Sequence, residues 1–508
     1  MDADSKPSIV NGSEAIETKR AHATTCEGGD VAAEIAKNFA NEPPYDNEEE
    51  KRLRWKLDLR LIPLLFLNIT LPALDKVTPS TGALYGLRED LKLKGSEYAW
   101  VGSSFYFGYL FWCFPSSQIL QRFNIAKSMS AVMVLWGILL VGAGFSNNFA
   151  TMCATRVLLG ALEAPVAPGN FILMTMWYTR NEQPVRAGLF YTGLATLITG
   201  TLGWAVGFIH RDYAWRSFFW ITGGITVVYA ILVGFLLPDN PVKAKFITDR
   251  ERYVAIERLR ADQLGIENKT FVRSQLWELA ADPKTWLMFF FNIFVSIPNG
   301  GLTNFAPLII NGLGYSPQRS ALLMMPTGVI QTLSSYLCNF GVYFCIRTFR
   351  GVQLRGVFVI GGLIVGMLAT MLLYTLPLDS YVSRLIALYF SYFYLGPYIV
   401  ALGMNSANTA GHTKKVTSNA SVFAAYCISN IIGPQFFQSS QAPLYPLGMA
   451  AMLVAYGLSI FTMILYMLYC WKENRRREML DANAGGMHLD TDFRDITDYA
   501  NVHFRYVW

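Results

Sequence analysis

Thr155–Arg186, TRVLLGALEAPVAPGNFILMTMWYTRNEQPVR, is the stretch from which the rest of the chain can be read. Between Arg156 and Arg180 its only charged side chain is Glu163. At 1.5 Å per residue an apolar run of about 20 residues covers the ~30 Å of a bilayer's hydrocarbon core, so the segment reads as a membrane crossing. Arg156 and Glu163 are two helical turns apart, on one face, separated by ~10 Å along the axis. An ionisable group at mid-bilayer costs roughly 2.5–3.5 kcal/mol, so each is a functional candidate by default.

Runs of the same kind recur on both sides. Crossings are expected near 61–84, 98–120, 128–145, 150–174, 187–209 and 216–237, then near 285–309, 319–343, 354–376, 382–404, 417–438 and 447–470. The composition agrees: 53% of residues are hydrophobic and 15% charged, against roughly a quarter charged in ordinary globular proteins. The expected organisation is a disordered tail over 1–55, a six-helix bundle over 56–237, a central loop over 238–284, a second bundle over 285–471 and a tail over 472–508. The first tail is polar and acidic. It lacks the apolar core of a signal peptide, so helix 1 serves as the insertion signal.

Lys and Arg at the ends of the runs orient the chain. Lys51, Arg52, Arg54 and Lys56 precede helix 1, and Lys472, Arg475, Arg476 and Arg477 follow helix 12. Loops of the same parity carry Arg122 and Lys127, Arg180 and Arg186, Arg347 and Arg350, and Lys414 and Lys415. The loop with Arg88, Lys92 and Lys94 runs against the trend. Both termini are expected on the cytosolic side. Ile247–Leu259 has apolar residues at helical spacing among Arg and Glu, which predicts an amphipathic helix along the inner surface, read as a solvated linker.

Other classes lack their signatures. No dense basic stripe points to nucleic acid. The five His residues are scattered and no P-loop occurs, which removes the His-cluster membrane oxygenases and ATP-driven pumps. The seven Cys show no paired spacing, so they read as small buried hydrophobes and not as metal ligands. No metal and no cofactor is expected.

Helix 1 ends in ALDKVTPSTG, which sets Asp75 and Lys76 in the outer half at a depth similar to Arg156. Two cations and two carboxylates facing one interior suit a solute with a negative charge. Desolvation disfavours the charged form of a mid-membrane carboxyl, which makes Glu163 a candidate proton carrier. The bland alternatives are an ion pair that locks helix 4 to a neighbour, and for Lys76 a side chain that snorkels to the interface. Tyr106 and Tyr109 in helix 2, Asn292, Asn299 and Asn304 in helix 7, and Asn405 and Asn408 in helix 10 are candidate lining groups. Proline recurs within the crossings, and freed backbone groups are tolerated there only beside protein or a wet cavity. Gly203–Gly207 and Gly362–Gly366 have small-xxx-small spacing and read as packing positions.

The six-plus-six layout resembles the major facilitator superfamily, and within it the fungal allantoate permease family, part of the anion:cation symporters. The opening stretch carries this, with Arg156, Gly160, Glu163, Pro168, Trp177, Tyr178, Glu182 and Arg186. So do AWRSFFWITGG, DPKTW, LIINGLGYSPQRSALLMMP and NTAGHTKK. The ending FRDITDYANVHFRYVW is also similar and has no other evident structural reason. The resemblance implies an all-α fold of twelve transmembrane helices in two pseudo-symmetric six-helix bundles. It also implies a proton-coupled carrier of small organic anions, with Arg156 and Glu163 as substrate or coupling residues and Lys76 where relatives commonly have Arg. The partners expected are an anionic solute, protons and the bilayer, with a monomer at the plasma membrane. An exporter of a secondary metabolite and a non-transporting nutrient sensor are the alternatives.

Overall fold

The computed structural model describes residues 45–122, 124–179, 182–190, 193–209, 214–238, 241, 244, 246–261, 272–348, 354–483, 497–501 and 503–508. The tail expected to be disordered over 1–55 lies outside the described residues as far as residue 44, as do 262–271 of the central segment, but its last residues are helical from Asn47, capped by Asp46 and Glu49.

Each expected crossing has a helix or a helix pair. The first half runs α1 (Asn47–Leu84), α2 (Leu87–Asp90), α3 (Glu97–Arg122), α4 (Ile125–Ala143), α5 (Phe149–Glu163), α6 (Val166–Trp177), α7 (Gln183–Phe190), α8 (Ala195–Val206) and α9 (Ala214–Leu236). The central segment holds α10 (Asp249–Ala261) and α11 (Arg273–Ala281). The second half runs α12 (Pro283–Gly312), α13 (Pro317–Leu323), α14 (Met325–Thr348), α15 (Arg355–Thr375), α16 (Tyr381–Ser391), α17 (Leu395–Ala407), α18 (His412–Ile432) and α19 (Pro446–Asn483). Spans 4, 5, 8 and 10 are the pairs α5–α6, α7–α8, α13–α14 and α16–α17. The break in span 4 falls at Ala164–Pro165, and a 3-10 turn, Tyr392–Tyr394, interrupts span 10 just before Pro397. Proline has no N–H to continue the ladder, which fixes such breaks.

Among the described residues, nine helical segments are long and apolar enough to cross a membrane. The crossings outside these nine are α3, the divided span 5 and α18. Polarity sets α3 and α18 apart because they face the seam between the halves. The Ser103 hydroxyl of α3 donates to the Ile431 carbonyl of α18 at 2.8 Å, and Tyr106 meets Tyr426 edge-on at 6.0 Å.

One buried apolar cluster lies in the first half with Cys427 added from the second, and the other lies in the second half with Ala83, Tyr98 and Ala99 added from the first. Hydrogen bonds join the halves on the face opposite the termini: Tyr98 to the Asn304 carbonyl at 2.7 Å, Gln318 to the Gly207 carbonyl at 3.1 Å, and Gln435 to Ser103 at 3.0 Å. Deeper in, the Gly193 amide donates to Thr332 at 3.1 Å.

Two expectations about helices meet the structure differently. The glycine pairs do serve packing: a Cβ on Gly207 would come within 2.4 Å of Gln318, and one on Gly362 within 2.6 Å of Pro397. The central amphipathic helix, read as a solvated linker, is instead docked on the first half. Its Arg258 is buried, 3.2 Å from Glu182 and 3.0 Å from the Trp177 carbonyl. Glu251 receives Lys56 at 2.7 Å, and Arg250 reaches Glu49 at 3.0 Å. The interleaved charges that looked solvated are the docking contacts.

Candidate functional site

Gly108 of α3 and Gly160 of α5 bring spans 2 and 4 into backbone contact. A Cβ on Gly160 would stand 1.9 Å from the Phe105 carbonyl oxygen, and one on Gly108 1.8 Å from that of Val157. This close approach sets the Phe105 ring beneath the Arg156 guanidinium, 4.9 Å from ring centre to carbon.

Arg156 faces α1. Its Nη1 donates to Asp75 Oδ1 at 3.2 Å and to the Asp75 carbonyl at 3.4 Å. That carbonyl is available because its helical partner four residues on is Pro79, which has no N–H. Trp136 of α4 donates its indole N–H to the other carboxylate oxygen at 3.0 Å. Asp75 is fully buried and Arg156 nearly so. Two turns further along span 4, Glu163 Oε1 lies 2.7 Å from Lys76 Nζ, which stands 5.6 Å from the ring centres of Phe105 and Tyr109.

The arrangement is two cations against two carboxylates, in two pairs, at the meeting of spans 1, 3 and 4. The pairs differ in access: the Lys76 side chain is 22% exposed, whereas Asp75 is sealed. Glu163 Oε2 and Arg156 Nε are buried with no hydrogen-bond partner in the structure. Buried polar atoms without partners are expensive, which sets these two apart within the cluster. Both carboxylate oxygens of Asp75 are engaged, by Arg156 and Trp136, whereas Glu163 has one oxygen on Lys76 and the other without a partner.

Across the seam, the second half offers neutral groups. Asn299 of α12 donates to Asn430 Oδ1 at 2.8 Å and to the Tyr426 hydroxyl at 3.1 Å, and accepts from Tyr394 at 2.7 Å. Tyr398 stands 6.2 Å from Tyr426, ring centre to ring centre.

Of the residues singled out from sequence, Lys76, Arg156, Glu163 and Tyr109 come together. Asn304 does not join them: its amide bonds the Gly300 carbonyl at 2.8 Å, and it fills the space over Gly102 in the far-face seam. Asn408 lies at the terminal face, bonded to Tyr466 at 2.6 Å and to the Val507 backbone at 2.7 Å. Trp136 and Tyr394 look in the sequence like any packing aromatic, and Asn430 like any neutral polar residue of a helix. The signal that could have found the Arg156 seat was Pro79, four residues after Asp75.

Known proteins agree with this architecture. The profile of the Major Facilitator Superfamily matches residues 65–434. The chain superposes on a D-xylose-proton symporter with a TM-score of 0.59 at 14% identity, over 80% of this chain and 97% of that one. A bacterial homologue of the human lysosomal transporter Spinster, inward-facing and unoccupied, gives 0.58 at 17% identity over 80% and 94%. The protein is thus a multi-pass membrane protein of the major facilitator superfamily, a secondary transporter of small molecules. Among relatives, the allantoate permease of Saccharomyces cerevisiae is 33% identical over 490 residues, 94% of this chain and 90% of the permease. The MFS-type transporter cnsL of Penicillium expansum is 37% identical over 482 residues, 94% and 92%. The chain belongs to the family of the fungal allantoate permease.

Proposed function

We infer that the chain is a proton-coupled carrier of a small organic anion, working by alternating access about a site at mid-membrane. The observation that carries this is the Lys76–Glu163 pair, 2.7 Å apart beside the sealed Asp75–Arg156 pair. With both carboxylates ionised, the four groups sum to zero and offer an anion little. A proton on Glu163 leaves the cluster with one net positive charge and frees Lys76 for the solute. The incoming carboxylate then takes the place of Glu163 on Lys76, with the Phe105 and Tyr109 rings alongside. Solute and proton enter together and leave together, because neither occupies the site well without the other.

Two similar proteins accord with this. Allantoate is an organic anion, and proton symport is known on this fold. In the second half, the neutral Asn299, Asn430 and Tyr394 gather with Tyr426, whose ring meets Tyr106 across the seam, so the reading expects a solute with one carboxylate and an uncharged polar body. With the termini in the cytosol, the hydrogen bonds that join the halves on the far face fit an inward-facing state, and rocking of the halves would open the far side. The plasma membrane and a monomeric carrier complete the reading.

The test is uptake by the purified protein in liposomes, against a panel of labelled carboxylates with and without an inward proton gradient. Gradient-driven accumulation of a monocarboxylate is expected, and Arg156→Ala should abolish it while the variant still inserts. Uptake indifferent to the gradient, or normal uptake by Arg156→Ala, overturns the proposal.

A further inference from the structure

The ending that sequence analysis left without a structural reason is seated in a built site on the terminal face of the second half. Asp498 is fully buried there. Its Oδ2 lies 2.9 Å from Lys284 Nζ, at the start of α12, and its Oδ1 2.9 Å from Lys414 Nζ, at the start of α18. The same two lysines hold Asp282, and Lys414 also reaches Glu278 of α11 at 2.8 Å. Thr497 donates to the other Glu278 oxygen at 2.9 Å.

Helix α19 supplies the other wall. At 1.5 Å per residue its 38 residues span ~57 Å, well beyond the hydrocarbon core. The projecting end carries Arg477, whose Nη1 donates to the carbonyls of Asp498, Asn501 and Phe504 at 2.9, 3.1 and 3.0 Å. The Tyr506 ring lies between Arg477 and Lys284, 4.5 and 4.6 Å from its centre. Two asparagine side chains then pair with the backbone as a neighbouring strand would. Asn474 bonds both the N–H and the carbonyl of Tyr506, at 2.9 and 2.8 Å. Asn408 does the same for Val507, at 2.7 Å each way.

We propose that residues 497–508 are an intramolecular ligand whose docking welds the terminal-face ends of α11, α12, α18 and α19 into one body. Those helices meet at the tail: each contributes at least one charged or amide side chain to it or to the lysines that grip it. Among the groups more than nine-tenths buried, the seat has three cations, Lys284, Lys414 and Arg477, against Asp282 and Asp498. Loss of the tail leaves those cations with one equally buried carboxylate, an arrangement the half cannot keep closed around. The inference concerns the rigidity of the second half and stands apart from the identity of the solute.

The experiment uses the full chain with a site-specific protease sequence inserted within 484–496, so that the protein folds intact in lipid nanodiscs and is cut afterwards. With the parent residues, the severed tail is expected to stay on the body through gel filtration. With Asp498→Asn it is expected to elute away. Tail loss should raise backbone amide exchange at least tenfold in 275–285 and 408–415 together, and a synthetic peptide of residues 497–508 should reverse the rise. A severed parent tail that elutes freely overturns the proposal, as does tail loss that leaves exchange in both segments unchanged. Should Asp498→Asn fail to fold, high-salt elution of the cut parent tail gives the same reading.

Discussion

Replacing Glu163 by Gln tests the coupling logic with little disturbance to packing. The amide keeps the shape of the carboxyl, and its oxygen still accepts from Lys76. The amide nitrogen can take the Oε2 position, where no donor has to be displaced. What disappears is one negative charge 2.7 Å from Lys76. A solute carboxylate about 4 Å from an ammonium gains about 4 kcal/mol at an effective dielectric near 20. Because Lys76 is 22% exposed, solvent screening takes about half of this, leaving ~2 kcal/mol, or ~30-fold in affinity. In the parent protein, affinity for the solute should fall as pH rises, by up to about tenfold per unit for a one-proton exchange. Glu163→Gln should bind at pH 8.5 about 30-fold more tightly than the parent, with a flat pH profile, and should equilibrate solute without concentrating it. Binding by scintillation proximity and uptake under an imposed gradient measure the two halves of this expectation. A variant that still accumulates solute with the parental pH profile refutes the assignment of Glu163 as the proton carrier.

Three further outcomes follow from the geometry. Gly160→Ala, with its methyl 1.9 Å from a carbonyl oxygen, should lower the melting temperature by several degrees and cut transport; overpacking of this kind costs about 1–3 kcal/mol or more. Gly142→Ala, where the methyl meets nothing within 4 Å, is the control, and equal tolerance of both would contradict the close approach of spans 2 and 4. Asn299→Ala should raise KM for the solute without altering the pH dependence of uptake, and a shifted pH profile would tie Asn299 to the proton instead. Tail docking should also follow pH in a defined way. Burial opposes the charge of Asp498, but Lys284 and Lys414 outweigh it and hold the carboxyl below the usual value, so its contribution is present above about pH 4 and is lost as acid protonates it. Burial likewise opposes the charge of Lys414, and Glu278 and Asp498 push it up to about 12, so its contribution is complete below about pH 10.4 and lost as pH rises through 12. Proteolysis of the tail should therefore be flat between these limits, and a transition near neutrality would contradict the cage.

The spans were legible because hydrocarbon thickness imposes a length and an apolar composition on each crossing, and few other constraints leave so long a mark on a sequence. Arg156, Glu163 and Lys76 were legible for the converse reason: a charge inside such a run is costly enough to be conspicuous. Partner choice was not legible. Spacing put Arg156 and Glu163 on one face of one helix, yet each pairs with α1, because two neighbouring residues there, Asp75 and Lys76, carry opposite charges and meet them separately. Nothing in a linear pattern tells which carboxylate answers which cation.

Neutral polar residues fared worse, and Asn408 and Asn299 explain why. Both sit in apolar runs and both invite the same reading as lining groups. The first is consumed by the backbone of Val507 at the terminal face, while the second gathers Tyr394, Tyr426 and Asn430 at the seam. An amide satisfies either role with the same atoms, so its function is set by what the fold brings to it. The same holds for Arg477, which in the sequence counts only towards orientation. In the structure it closes a seat around three carbonyls of the tail. A positive charge beside a membrane can therefore be a topological signal and a ligand-binding group at once, and the second role becomes visible only when the chain's own end is seen lying against it.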